Sequence, residues 1–187
     1  MGAALSNAVR ALRHGGLVVY PTDTLLGLGA RASDRGAVRR LLVAKGRSAS
    51  QPISVCVSST EEIEQYAVVR PSARRFLRRH LPGPYTVLLA PSARARRTFA
   101  PAVLGRTTIG FRVPDHFVAR ELARAAGPIT ATSANRHGDP TARTLAEARR
   151  ALGGHVSAYV PADPPGSGEP STLVDLKGRE PRVLARK

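Results

Sequence analysis

Short runs of β-branched and aliphatic residues alternate along this chain with segments whose apolar residues recur every three or four positions. That alternation constrains the fold most. Residues 17–20, 53–57, 86–90, 108–112 and 129–132 read as strands, with 173–175 and 182–184 as two short closing ones. Between them the helical signals carry start and stop marks. Asp34 is placed to cap a helix with Val38, Leu41 and Leu42 on one face, and Gly46 ends it. Ser59 with Glu62 and Thr144 with Glu147 have the spacing of capping boxes, and Gly153-Gly154 closes the second of these helices. Residues 72–81 turn Phe76, Leu77 and Leu81 inward and Arg74, Arg75, Arg78 and Arg79 outward, a solvated helix face. Asp115 is placed to cap a helix carrying Val118, Leu122 and Ala125. Pro82-Gly83-Pro84 is a rigid turn into a strand, 91–105 reads as an Arg- and Pro-rich surface excursion, and 162–170 as a Pro/Gly-rich loop. The pattern implies an α/β or α+β fold, a twisted mixed β-sheet flanked by helices, as a single domain over residues 1–187.

The charge balance bears on function more than on fold. The net charge is +16, and the cations are 26 arginines against three lysines, Lys45, Lys177 and Lys187. Such a charge attracts polyanions such as ATP, pyrophosphate or RNA. The arginines are scattered over helix faces, however, and only 4% of residues are aromatic, with no Trp. That disfavours a stacking platform for single-stranded nucleic acid. A single cysteine, Cys56, excludes an internal disulfide and a Cys-based zinc cluster; within an apolar run it reads as a buried small hydrophobe. No apolar stretch reaches membrane-spanning length, and a cytoplasmic location is expected. The first six residues fit the loose myristoylation pattern, and the acid-free start has some transit-peptide character. Leu5, Val9 and Leu12 followed by Gly15-Gly16 instead describe a first helix stopped by glycine.

No Walker-type phosphate loop is present. Gly27-x-Gly29-x-x-Ala32 does not join a strand to a helix as a dinucleotide fingerprint requires, and Gly166-Ser167-Gly168 is too short for a nucleophile elbow. An anion site must therefore be assembled from dispersed parts. Lys45-Gly46-Arg47 is the sharpest cationic cluster: a compact ammonium in a helix's last turn, where it also suits the helix dipole, then a guanidinium fork. Arg112 at a strand end suits a phosphate or carboxylate; His116 either donates to a phosphate or merely opens a helix. Thr130, Ser133 and Asn135 follow or end a strand and offer hydroxyl, amide and backbone N–H groups, as a phosphate and ribose cradle or as a loop satisfying its own backbone. Thr22, Asp23 and Thr24 form a strand-end turn with a carboxylate and two hydroxyls, and Ser171 stands at the entry of a late strand.

In order and spacing, Pro21-Thr22-Asp23-Thr24, Lys45-x-Arg47 with Pro52, Pro82-Gly83-Pro84-x-Thr86, Arg112-x-Pro114-x-His116, Ser133-Ala134-Asn135 and Pro170-Ser171-Thr172 resemble the YrdC-type (TsaC-like) threonylcarbamoyl-AMP synthases in their short, single-domain form. The resemblance runs from about residue 16 to residue 184 and leaves no room for the extra C-terminal domain of longer relatives. It implies a YrdC-like fold and a nucleotidyltransferase that joins L-threonine, bicarbonate or CO2 and ATP into threonylcarbamoyl-adenylate, releasing pyrophosphate. The product serves N6-threonylcarbamoyladenosine (t6A) formation at position 37 of tRNA through downstream transfer machinery, with direct tRNA contact a further implied partnership. Mg2+ would arrive bound to ATP, with no metal ligands from the chain. The implied roles are catalytic for Lys45 and Arg47, substrate-binding for Thr22, Asp23, Thr24, Arg112, Thr130 and Ser171, and ATP-binding for Lys45, Arg47, His116, Ser133 and Asn135. The Pro82-Gly83-Pro84-Tyr85-Thr86 turn reads as structural. Two departures stand out: Leu26 where the family usually has an aromatic, and Ser48 where many members have proline. The rival readings are an RNA-binding module, or an enzyme of the same fold handling another carbamoyl-adenylate.

Overall fold

The computed structural model describes residues 2–161 and 166–185; Met1, the 162–165 part of the expected Pro/Gly loop and Lys187 lie outside them. In chain order the strands are β1 (Val18–Tyr20), β2 (Gly27–Gly29), β3 (Ser54–Cys56), β4 (Ala67–Val68), β5 (Tyr85–Pro91), β6 (Ile109–Arg112), β7 (Ile129–Ser133), β8 (Ala158–Tyr159), β9 (Thr172–Asp175) and β10 (Arg182–Leu184). The helices are α1 (Ala3–Arg13), α2 (Arg35–Lys45), α3 (Thr60–Tyr66), α4 (Pro71–His80), α5 (Ala93–Thr98), α6 (Phe117–Ala126) and α7 (Leu145–Leu152). The sheet order is β10-β9-β5-β6-β3-β7-β2-β1-β8, with β4 beside β5. Parallel pairs (β1–β8, β3–β6, β5–β9) mix with antiparallel ones, as the alternation of segment types required.

Side chains alternate between the two faces of a strand, and the two apolar clusters follow that parity. Val19, Leu28, Val55, Val87 and Phe111 pack on one face with residues from α2, α3, α4, α5 and α7. Val18, Tyr20, Cys56 and Ile129 pack on the other with Leu5, Ala8, Val9 and Leu12 of α1 and Ala119, Leu122, Ala123 and Ala126 of α6. Helices α1 and α6 lie against each other and cover only part of that second face. Further along the same face stand Ser54, Ala131, Ser133, Thr86, Leu88 and Leu173, and above them the sheet opens into a cavity.

Local signals account for most boundaries. Asp34 Oδ1 accepts the Ala37 N–H at 2.9 Å, and α2 closes on Gly46 in the left-handed region (φ 59°), where a side chain would be strained. The Thr144–Glu147 capping box is complete. Its Ser59–Glu62 counterpart is half-formed: Ser59 Oγ accepts the Glu62 N–H, but Glu62 Oε2 turns back to Ser58. Two expectations are corrected. The N-cap of α6 is His116, while Asp115 pairs with Arg120 at 3.1 Å. Residues 91–105 are no surface excursion: α5 and the turn after it bury Ala95, Phe99, Ala100 and Val103. The apolar spacing was present there but was masked by Arg94, Arg96 and Arg97 on the opposite side.

Candidate active site

One cavity of about 520 Å3 is walled by strand ends and loops from the whole length of the chain. Its lining includes Thr22 and Leu26 from the β1–β2 connection, Arg47 and Pro52 beyond α2, Ser54, Arg112, Ser133, and Ser171 at the entry to β9. Three clusters shape it.

At one end, Lys45 sits in the last turn of α2, only 2% exposed. Its Nζ donates to the carbonyls of Ser133 and Asn135, both at 2.6 Å, and the Lys45 carbonyl accepts the His137 N–H at 2.7 Å. The 45–47 and 133–135 corners are thus joined directly. Burial lowers the ammonium to about 8, and the neighbouring Arg47 charge pushes the same way. Arg47 lines the cavity, half-buried, and burial lowers its guanidinium too. Only Nη2 has a protein acceptor, the Pro52 carbonyl at 3.2 Å, and the buried Nε has none among the described residues. The proline missing after Arg47 is replaced by a hydroxyl turn: Ser48 Oγ accepts the Ser50 N–H at 3.2 Å and lies 2.9 Å from Ser50 Oγ, so hydrogen bonds stiffen the corner in place of a ring.

In the middle, Arg112 Nη2 donates to Asp23 Oδ1 at 2.9 Å and to Thr24 Oγ1 at 2.8 Å. Thr22 Oγ1 accepts the Thr24 N–H and donates to the Leu25 carbonyl at 2.7 Å, closing the turn. Asp23 Oδ2 and Arg112 Nε are buried without a hydrogen-bond partner among the described residues. Buried polar atoms are satisfied in nearly all folded proteins, so a carboxylate oxygen and a guanidinium N–H left over on an ion pair whose Arg112 lines the cavity set this cluster apart from the rest of the interior.

At the far side, parallel pairing of β5 with β9 puts Ser171 Oγ 2.7 Å from Thr86 Oγ1. Both hydroxyls line the cavity. Thr86 and Tyr20 were missed in the sequence. Thr86 belonged to a turn read as structural, and its signal is strand parity with Leu88. Tyr20 is fully buried against the cavity wall, with its hydroxyl on the Thr130 carbonyl at 3.0 Å. Burial and the adjacent Cys56 push that phenol well up. The ring lies across β2, where a Cβ at Gly27 or Gly29 would stand 2.7 or 2.9 Å from it. The Gly27–Gly29 pair is therefore a seat for an aromatic ring, and Tyr20 puts an aromatic beside the cavity although Leu26 is not one. Burial raises the Cys56 thiol to about 12, so it stays protonated.

Six expected site residues do not line the cavity: Lys45, Asp23 and Thr24 make the contacts given above, and the other three are placed as follows. Thr130 is fully buried and does not line the cavity; its hydroxyl accepts the Ala30 N–H at 2.9 Å and donates to the Leu28 carbonyl at 3.3 Å, which corrects its reading as substrate-binding. The Asn135 amide N–H groups donate to the carbonyls of Arg136 and Asp139 at 2.9 and 2.7 Å, closing the loop, while its buried Oδ1 has no hydrogen-bond partner among the described residues. His116 is buried at the start of α6, outside the cavity lining. Among the described residues no cluster of three His, Cys, Asp or Glu side chains is arranged for a metal, and no helix is long and apolar enough to cross a membrane.

Fold and cavity together define an α/β protein whose open sheet face carries a cavity walled by Arg47 and Arg112. The family model Sua5/yciO/yrdC, described as telomere recombination, matches residues 10–187, and the chain belongs to that family. A Mycobacterium tuberculosis protein with the provisional name threonylcarbamoyl-AMP synthase is 40% identical over 179 residues, covering 95% of this chain and 81% of that one. The threonylcarbamoyl-AMP synthase of Chromohalobacter salexigens is 35% identical over 179 residues, 94% of each chain. Among solved structures, Pyrococcus abyssi Sua5 complexed with L-threonine superposes with a TM-score of 0.84 at 32% identity; the match covers 96% of this chain and 53% of that longer one.

Proposed function

We propose that this protein is a threonylcarbamoyl-AMP synthase, forming threonylcarbamoyl-adenylate from L-threonine, bicarbonate or CO2 and ATP for t6A at position 37 of tRNA. The observation that carries the reading is the joining of the 45–47 and 133–135 corners, through two 2.6 Å hydrogen bonds from Lys45 Nζ to the Ser133 and Asn135 carbonyls, beside a cavity lined by Arg47, Ser133 and Arg112. The relatives' names and the threonine-bound neighbour agree with it. In this reaction the threonine amine adds to CO2 and loses a proton, giving a carbamate. A carbamate oxygen then bonds to the α-phosphorus as the bond to the β-phosphate oxygen breaks, and pyrophosphate leaves. Such a step needs alignment and charge neutralisation more than a strong base. Arg47 faces the triphosphate, the Arg112–Asp23–Thr24 cluster and Ser171 face the amino acid, and Lys45 holds the Ser133 loop against them. Mg2+ enters as part of the ATP substrate. Downstream transfer machinery takes the product to tRNA, and exposed arginines offer a tRNA contact.

The test is to incubate the protein with ATP, bicarbonate and L-threonine and follow pyrophosphate, omitting each component in turn. Release that needs all three is expected. Release unaffected by omitting threonine would remove the assigned substrate.

A further inference from the structure

Residues 166–168 run beside the loop that carries Asp23. The Ser167 N–H donates to the Asp23 carbonyl at 3.0 Å, and the Gly168 N–H to the Thr24 carbonyl at 2.9 Å. Gly166 approaches so closely that a Cβ there would stand 2.3 Å from the Thr24 carbonyl oxygen and 2.6 Å from that of Thr22. Both obstacles are backbone, so neither can swing aside as a side chain would.

Elsewhere the 22–26 loop is held at its end by the Ala134 N–H on the Leu26 carbonyl at 2.9 Å and in its middle by Arg112 itself. The main cavity of about 520 Å3 lies on one side of it and a second of about 230 Å3 on the other, and Thr22, Leu25 and Leu26 wall both. Close packing normally fixes a loop through contacts on every side. Here two sides are open, and the 166–168 backbone supplies the missing constraint. The fixed loop in turn places the Asp23 carboxylate and the Thr24 hydroxyl, the two acceptors on Arg112 Nη2. We propose that residues 166–168 are a positioning strap: their backbone sets the Asp23–Thr24 loop and, through it, the guanidinium of Arg112 at the amino-acid end of the cavity. The strap acts through Arg112 and touches no reacting atom. The Ser167 side chain has a local task, accepting the Glu169 N–H at 3.3 Å, so the requirement is for a backbone without Cβ at 166. The inference rests on the reading that the Arg112 end takes threonine.

Gly166→Ala is the test, with Gly154→Ala as its control because nothing lies within 4 Å of a Cβ at 154. With Gly166→Ala, KM for L-threonine is expected to rise about fivefold or more while KM for ATP stays within about twofold. On an Arg112→Lys background the same change adds less than about twofold, because the element it acts through is already altered. A second readout needs no substrate: the Arg112 Nε–Hε resonance, identified by its loss in Arg112→Lys, shifts in Gly166→Ala and stays put in Gly154→Ala. An unmoved resonance, an equal rise in both KM values, or a full multiplicative effect on the Arg112→Lys background overturns the strap. A shifted resonance in a protein whose wild type ignores threonine upholds the strap and overturns only the substrate reading.

Discussion

Two carbonyl oxygens at 2.6 Å hold the Lys45 ammonium in place while burial, reinforced by Arg47, lowers it to about 8. Below that pH the charged form predominates and both hydrogen bonds are charge-assisted; as pH rises through it, the ammonium loses its proton and the grip on the Ser133–Asn135 loop weakens. Pyrophosphate release at saturating substrate is expected to fall above about pH 8. Deprotonating the threonine amine acts in the opposite direction, and loss of CO2 to bicarbonate acts equally on wild type and variant, so the part of the alkaline fall that depends on residue 45 belongs to the protein. Lys45→Met should remove that part and lower the rate by about 100-fold, the loss of two charge-assisted hydrogen bonds; a rate–pH profile of both proteins checks it. At this scale the sequence was informative where residue type is rare or charged. Lys45 stood out among 26 arginines, and Arg112 stood at a strand end. Thr130 was over-read because a hydroxyl near a strand end looks the same whether it faces a ligand or its own backbone. Only the folded sheet, which sets the Thr130 hydroxyl between the Ala30 N–H and the Leu28 carbonyl, separates the two cases.

Helix α2 delivers Lys45 from a start about 16 Å away, eleven residues at the rise of an α-helix. Its cap and its cargo are therefore separable. Asp34→Ala should lower stability by about 1 kcal/mol and the melting temperature by about 2–4 °C, with threonine-dependent turnover unchanged below the new transition; calorimetry and the pyrophosphate assay together check this. Both ends of α2 were legible, since Asp34 and Gly46 carry local physics in their own side chains or lack of one. The short strands β2, β4 and β8 were not, at two or three residues each. Such short strands owe their existence to partners distant in sequence, as β1 with β8 shows, and a linear pattern does not contain the partner. The strand signal in β2 was hidden further by glycines that serve the ring of Tyr20.

Over the whole molecule the net charge is +16, and few of the arginines are in ion pairs: among the described residues only Arg74, Arg112, Arg120 and Arg124 have carboxylate partners. Duplex RNA should bind through this surplus, weakening about 100-fold or more between about 50 and 200 mM salt. Arg47→Ala should leave that binding intact while cutting pyrophosphate release. Fluorescence anisotropy against salt checks the first part; RNA binding that vanishes with Arg47 would instead place the nucleic acid in the cavity. The fold class was legible at this scale because strand and helix periods alternate plainly. The cavity was not, since it depends on α1 and α6 stopping short of the sheet's far half. The pairing of β5 with β9 carries one more consequence, for biosynthesis. Thr22 is made long before Ser171, and they share a wall only once that late strand has docked. A nascent chain halted before Ser171 therefore holds every described helix and an unfinished pocket, so completion of the site waits on β9.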